Sequence, residues 1–408
     1  MANIIYVDNN ATTKVDPAVL EKMMPFFTEY YGNPSSMHNF GGEVMHHIEE
    51  ARQKIAQFLN CSPIEIIFTS CGTESDNTAI AAALEAYPER RHVITTRVEH
   101  SAIMNQTKFL TKKGYTISYL NVDKYGMIDI EELRELISEK TAIVSVMYAN
   151  NETGVIYPIE KIGKLCREKG VVFHTDAVQV AGKLPIDLKK LPVDMLSLSG
   201  HKLHAPKGIG VLYVRKGTRF KPFLIGGEQE HGRRGGTENV ATIIGLGEAC
   251  RLAEKHMAYE NTEIRRLRDK LEKGILDAVP NSLLNGHKES RLPNTVNISF
   301  EYVEGEAILL LLNEQGICAS SGSACTSGSI EPSHVLRAMG VPFTAAHGSI
   351  RFSLSRYNTE KEIDKIIEVA PPIIERLRSI SPFWRRENAW LKEQEERERL
   401  QKQQKAVH

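Results

Sequence analysis

Lys202 lies in Ser197-Leu198-Ser199-Gly200-His201-Lys202-Leu203-His204-Ala205-Pro206-Lys207-Gly208, with an apolar run on either side. A lysine in a turn between two strand-like segments is poorly explained as a solvated surface charge. It is well explained as an amine held at the rim of a sheet. Upstream, Phe173-His174-Thr175-Asp176 is an apolar run that ends in a carboxylate. A lysine for a Schiff base and an aspartate for a pyridinium nitrogen are the two protein groups that pyridoxal phosphate requires.

Further residues can be placed around that pair. Phe68-Thr69-Ser70-Cys71-Gly72-Thr73-Glu74-Ser75 runs from a strand pattern into a helix pattern. Gly72 allows a tight turn, and Thr73 adds a hydroxyl to the N–H groups at the positive end of the helix dipole, as a phosphate site needs. Read alone, the same residues make an ordinary helix cap. Ser199 and His201, beside Lys202, can close the phosphate site. Gln179, three residues after Asp176, can donate to the cofactor's phenolic oxygen. His100 follows another apolar run and can stack on the cofactor and move protons, although a histidine there also serves as a plain structural group. Asn151, in Ala149-Asn150-Asn151-Glu152-Thr153-Gly154, ends yet another strand pattern.

Two candidates concern the substrate. Arg351, in Ser349-Ile350-Arg351-Phe352-Ser353, offers a bidentate grip on an α-carboxylate, and Arg356 competes for the role. A structural ion pair is the alternative for either. Cys325 sits in Ser320-Ser321-Gly322-Ser323-Ala324-Cys325-Thr326-Ser327-Gly328-Ser329, a run of small residues with no apolar anchor. Such a run predicts a mobile loop, and a thiol on it suits nucleophilic attack and carriage of the product. Cys71, Cys166 and Cys250 read as structural, and Cys318 as a buried strand residue.

The elements that must position these residues alternate along the chain. Strand patterns run over 65–69, 92–95, 116–120, 142–147, 171–174, 195–198 and 210–214, and helix patterns over 73–87, 101–113, 130–137 and 158–169. The alternation predicts an α/β fold with a mainly parallel central sheet covered by helices on both faces. Ligands then collect beyond the carboxyl ends of the strands, which is where Thr73, His100, Asn151, Asp176 and Lys202 fall. A long helical pattern over 238–279 leads out of this large domain. Strand patterns at 294–300, 317–320 and 348–353 predict a smaller α+β domain. The stretch from Arg385 to His408 is highly charged and Gln-rich and carries no assigned chemistry.

Composition narrows the classes. The 408 residues are 41% apolar and 25% charged, with a formal net charge of zero, as in ordinary soluble domains. Zero net charge argues against a nucleic-acid binder that relies on bulk positive charge. No run reaches the ~20 apolar residues of a membrane span. The first residues lack an export signal core, so a cytoplasmic location is expected. The six cysteines are scattered without a Cys-x-x-Cys pair, which reads as reduced thiols.

Three motifs then carry a resemblance: Ser-Gly-His-Lys ending at Lys202, His-Thr-Asp-Ala-Val-Gln from His174 to Gln179, and Ser-Ser-Gly-Ser-Ala-Cys-Thr-Ser-Gly around Cys325. The chain resembles the cysteine desulfurases of the class V aminotransferase group, of the NifS type, from Tyr6 to about Pro382. The resemblance implies the fold-type I architecture of pyridoxal phosphate enzymes, with a large cofactor domain over 15–258, a small domain from 1–14 and 259–382, and a charged tail over 383–408. It implies a homodimer with sites near the subunit interface.

Residue by residue, it implies Lys202 as the Schiff-base lysine, Asp176 and Gln179 as ring contacts and His100 as the stacking histidine. Gly72, Thr73, Ser199 and His201 are implied at the phosphate, and Thr237 at the phosphate of the neighbouring subunit. Asn151 is implied as a cofactor contact and, with Arg351, faces the substrate, L-cysteine. Cys325 is the implied persulfide nucleophile and a transient iron–sulfur ligand shared with a scaffold protein of the NifU type, the sulfur acceptor in nitrogenase maturation. A general housekeeping desulfurase, another aminotransferase or lyase of the same fold, and a non-catalytic sulfur carrier are the competing readings.

Overall fold

Short runs rich in β-branched and apolar residues build the centre of the molecule. Ile66–Thr69, His92–Thr96, Thr141–Ser145, Val172–Asp176, Met195–Ser199 and Gly210–Val214 are buried along their whole length. Such unbroken burial is what strands covered by helices on both faces require. The computed structural model describes residues 4–321 and 332–384. It joins these strands, with Thr116–Leu120 at one edge, into a seven-stranded sheet. From that edge the order is Thr116–Leu120, His92–Thr96, Thr141–Ser145, Val172–Asp176, Met195–Ser199, Gly210–Val214, Ile66–Thr69. Pairing is parallel as far as Met195–Ser199, and Gly210–Val214 runs antiparallel to both its neighbours. Ile66–Thr69 therefore points the same way as the parallel set, and six of the seven strands end at one edge.

The crossover helices follow from spacing. In Ile159–Glu168, Ile159, Ile162, Leu165 and Cys166 are buried, one apolar stripe at helical period. Gly72–Ala86 buries Gly72, Ser75, Asp76, Ala79, Ala82 and Ala83, and these mostly small residues let it lie close on the sheet.

The expected helical run over 238–279 is present with an interruption. Val240–Tyr259 passes through a π turn at Glu260–Ile264 into Arg265–Ala278. Beyond it a second apolar core gathers Ile5, Val7, Leu267, Leu271, Ile275, Ile298, Phe300, Ile350 and Phe352. Its sheet is antiparallel, in the order Ser349–Ser353, Thr295–Phe300, Ser282–Asn285. The strand expected over 317–320 is only Ile317–Cys318, paired in parallel with Ile5–Tyr6. So short a strand leaves Cys318 half-buried and not enclosed as expected. No helix among the described residues is long and apolar enough to cross a membrane.

Candidate functional site

The sheet edge where the parallel strands end is built closely enough to need glycine. A Cβ on Gly72 would lie 2.9 Å from Val178 Cγ2 and 3.3 Å from Ser199 Cβ. The start of helix Gly72–Ala86 is thus pressed between the turn after Asp176 and the end of the Met195–Ser199 strand. Its N-cap, Cys71, makes no side-chain cap. The first-turn N–H groups of a 15-residue helix therefore face the edge without a side-chain acceptor from the cap, a ready anion site. Thr73 is exposed there, and Ser199 is buried beneath. Glu74, in the same turn, is held by Arg234 through hydrogen bonds of 2.9 and 3.2 Å.

Lys202 lies one turn further on. Its Nζ donates to the carbonyls of Asn10 (2.6 Å) and Ala11 (2.7 Å). The Asn10 carbonyl also accepts from Gln179 Nε2 at 3.0 Å, so one peptide oxygen joins the lysine to the glutamine. Gln179 Oε1 is buried without a partner among the described residues, while the amide N–H expected to donate to the phenolic oxygen is taken by the Asn10 carbonyl. His201 Nδ1 pairs with Thr12 Oγ1 at 3.1 Å, and Thr13 Oγ1 donates to the His201 carbonyl at 3.0 Å. Residues 8–13 thus thread beside the site, a role that nothing in their local pattern signals.

Asp176 is the last residue of its strand. One carboxylate oxygen accepts from Val178 N at 2.8 Å. Burial raises its pKa, opposed by the nearby His100 and Lys202. His100 caps helix Ser101–Lys112, its Nδ1 accepting from Ala102 N at 3.2 Å. A ring that accepts at Nδ1 carries its proton on Nε2. Burial lowers its pKa, against the pull of Asp176. His100 is therefore a structural cap and a neutral Nε2–H donor at once. His201 is pushed down to about 4, first by burial and then by Lys202.

Asn151 is half-buried, and its carbonyl accepts from Asn10 Nδ2 (3.2 Å) and Arg351 Nη1 (2.9 Å). Arg351 also pairs with Asp8 at 2.7 Å, and its Nε is buried without a partner among the described residues. The structural ion pair and the proximity to Asn151 thus hold together at Arg351. Arg356 points elsewhere: its guanidinium reaches Asp16 at 2.6 Å, and Tyr357 fills the same carboxylate. The structure brings Gly72, Thr73, His100, Asn151, Asp176, Gln179, Ser199, His201, Lys202 and Arg351 to one region; Arg356 lines a small cavity with Lys202, but its guanidinium is spent on Asp16. Thr237 is exposed on the loop that Arg234 ties to Glu74. Cys325 and the tail from Arg385 lie outside the described residues. Cys166 and Cys250 are buried, and burial pushes the Cys166 thiol up to about 12, consistent with inert structural roles. Among the described residues no group of three or more His, Cys, Asp and Glu is arranged to hold a metal ion.

The geometry suits pyridoxal phosphate: an uncapped helix start for the phosphate, a buried carboxylate for the ring nitrogen, and a lysine amine close enough to that carboxylate to oppose the rise that burial imposes on its pKa. Comparison with known proteins agrees. Residues 5–366 match the family described as "Aminotransferase class-V". The chain is 60% identical to "Cysteine desulfurase 2" of Trichormus variabilis over 394 residues, which cover 97% of this chain and 99% of that protein. It is 59% identical to "Cysteine desulfurase NifS" of Azotobacter vinelandii, over 93% of this chain and 95% of that one. A solved "NIFS-LIKE PROTEIN" superposes with a TM-score of 0.86 at 42% identity, covering 92% of this chain and 99% of its own. Edge geometry and similarity along nearly the whole length lead to one conclusion: the chain belongs to the class-V aminotransferase family, on its cysteine desulfurase branch.

Proposed function

We propose that this protein is a pyridoxal-phosphate-dependent cysteine desulfurase that takes sulfur from L-cysteine, leaves L-alanine, and carries the sulfur as a persulfide on Cys325. The observation that carries this reading is the shared carbonyl of Asn10, which places the Lys202 amine beside Gln179 at the edge where Asp176 ends its strand. The cofactor, when bound, supplies the electron sink that makes the substrate Cα–H acidic. The protein supplies the rest. Gly72, Thr73, Ser199 and His201 would hold the phosphate, and Asp176 would keep the ring nitrogen protonated. Arg351 and Asn151 orient the substrate carboxylate and amine. Lys202 would serve as the base that takes the α-proton. His100, neutral with its proton on Nε2, hands protons to the reacting groups. The Cys325 thiolate attacks the substrate sulfur: the S–S bond forms as the C–S bond breaks and the electron pair stays on Cβ; a proton delivered to Cβ and the return of the α-proton from Lys202 to Cα complete alanine.

The relatives' names favour the NifS type, and we read the acceptor as a NifU-type scaffold serving nitrogenase maturation. A homodimer is supported by apolar side chains left open to solvent in this chain, among them Met37, Tyr31, Phe27 and Ile225, and by Thr237 standing exposed where it can reach a neighbour. The core around Ile5, Val7, Leu267, Phe300 and Phe352 supports a small domain from 1–14 and 259–382 beside a large one over 15–258, while Leu292, Val335, Leu336 and Met339 from the small domain's range pack into the large domain's core.

Purified holoenzyme fed L-cysteine tests the reading. Alanine and a persulfide that maps to Cys325 are expected, and Cys325→Ala should keep the cofactor but release no sulfur. Pyruvate as the product, or full sulfur release by the variant, would replace the reading with another lyase. Transfer of labelled sulfur to a NifU-type scaffold, against a housekeeping scaffold, tests the acceptor.

A further inference from the structure

Both ends of the segment that holds Cys325 are pinned to the residues proposed to face the substrate. On the N-terminal side, Ser320 is buried and exchanges backbone hydrogen bonds with Arg351: Arg351 N donates to Ser320 O at 2.7 Å, and Ser320 N to Arg351 O at 3.3 Å. On the C-terminal side, Ser333 caps helix His334–Ala338, its hydroxyl oxygen accepting from Val335 N and Leu336 N. The same hydroxyl donates its proton to Glu152 Oε2 at 2.5 Å. His334 Nε2 then meets the Glu99 carbonyl at 2.9 Å, one residue before His100.

Glu152 is an unusual residue to bury. It is 3% exposed and directly follows Asn151; burial pushes its pKa up to about 7, against the Ser333 hydroxyl and the Arg351 charge, which favour the carboxylate. Its backbone is fixed independently: Glu152 N donates to Asn150 Oδ1 at 2.9 Å, and Asn297 Nδ2 donates to its carbonyl at 3.3 Å. A buried carboxylate costs several kcal/mol unless strongly hydrogen-bonded, and a hydroxyl donor to such a group makes a short, charge-assisted bond. The burial is explained if the carboxylate has a job that a neutral residue does less well.

We propose that Glu152 is a positioning residue: it ties Ser333, the root of the Cys325 segment, to the Asn151–Arg351 substrate turn, so that thiol and substrate sulfur are brought into register from one rigid base. This rests on the assignment of Cys325 as nucleophile. Glu152 touches no reacting atom. It acts by fixing where the segment re-enters the fold, and misplacement of a reacting group by about 1 Å costs on the order of 100-fold in rate.

The test uses the full-length holoenzyme and four variants: Glu152→Ala, Ser333→Ala, Ser333→Thr and Cys325→Ser. Cofactor absorbance, cofactor affinity, KM for L-cysteine and the single-turnover rate of alanine formation are measured for each. Glu152→Ala and Ser333→Ala should slow alanine formation by at least tenfold, with cofactor affinity and KM within twofold of the parent. Ser333→Thr, which keeps both the cap and the donor, should restore the rate to within twofold. The proposal falls if both alanine variants turn over within twofold of the parent while Cys325→Ser is inactive. It also falls if cofactor affinity drops in step with the rate, since that marks a merely structural role. If Cys325→Ser forms alanine at the full rate, the nucleophile assignment fails first and takes this proposal with it.

Discussion

Replacing Arg351 by Gln separates two arginines that sequence alone leaves in competition. Arg351 is buried, bonded to the Asn151 carbonyl and to Asp8, and keeps an unpartnered Nε. Arg356 spends its charge on Asp16, which burial would push up but Tyr357 and Arg356 hold at about 2. A substrate carboxylate gripped by two charge-assisted hydrogen bonds of about 1.5 kcal/mol each gains about 3 kcal/mol, or roughly 150-fold in kcat/KM. Arg351→Gln should show that loss, mainly as raised KM, because the grip acts on substrate and transition state alike. Arg356→Gln should stay within threefold. Loss of Arg351 also strands Asp8, so stability must be separated from binding. Arg351→Gln combined with Asp8→Asn should recover melting temperature but not kcat/KM. A fall of less than fivefold in Arg351→Gln, or a larger fall in Arg356→Gln, would refute the assignment.

Three further outcomes are expected. Lys202→Ala should lose both turnover and the visible absorbance of imine-bound cofactor; an unchanged spectrum sinks its role. Gly72→Ala forces a Cβ to within 2.9 Å of Val178 and 3.3 Å of Ser199. It should cost about 1–3 kcal/mol in chemical denaturation and weaken cofactor binding at least tenfold, and an unaltered dissociation constant would speak against a phosphate at that helix start. Burial pushes Glu99 up to about 8, above its unfolded value near ~4.3. A carboxyl raised in the folded state stabilises below the unfolded pKa, and that contribution is lost as pH climbs through the folded one. Melting temperature should therefore fall between pH 5 and 8.5 more steeply in the parent than in Glu99→Gln, and parallel curves would contradict this.

The strands and the residues that follow them were legible because their signals are local. Thr73, His100, Asp176 and Lys202 each stand just after or at the end of an apolar run, and a parallel sheet places such positions together. The segment from Asp8 to Thr13 was opaque for the opposite reason. It contributes carbonyl oxygens, a side-chain amide N–H and a carboxylate to partners more than 100 residues away, so its function lies in contacts and not in pattern. Glu152 and Ser333 are similar: each is unremarkable in its own stretch, and only the pair, 181 residues apart, has meaning. The helix Asn39–Leu59 escapes a periodicity reading because glycines and histidines dilute its first turns, while Val44, Ile48, Ala51, Ile55 and Leu59 still lay down a buried stripe. The π turn at Glu260–Ile264 was invisible in a continuous helical pattern because nothing in that pattern demands an extra residue.

The division of labour between the sheet edge and the Cys325 segment has a chemical reason. Activating Cα demands fixed charges and a fixed proton donor, and the edge offers them on short turns bound to a buried sheet: Asp176 at a strand end and Lys202 two hydrogen bonds deep in backbone carbonyls as the charges, and neutral His100, locked by its own helix, as the donor. Carrying sulfur to another protein demands a thiol that can leave that setting. On the proposed reading both needs are met if the carrier returns to a defined starting point, and Ser320 and Ser333 are fastened to Arg351 and Glu152, next to the residues proposed to face the substrate. An enzyme that merely eliminated sulfide would have no use for such roots. Loosening them should therefore slow the transfer to Cys325 while leaving activation at Cα intact, and a variant that lost both together would show that the two tasks are not separable as argued.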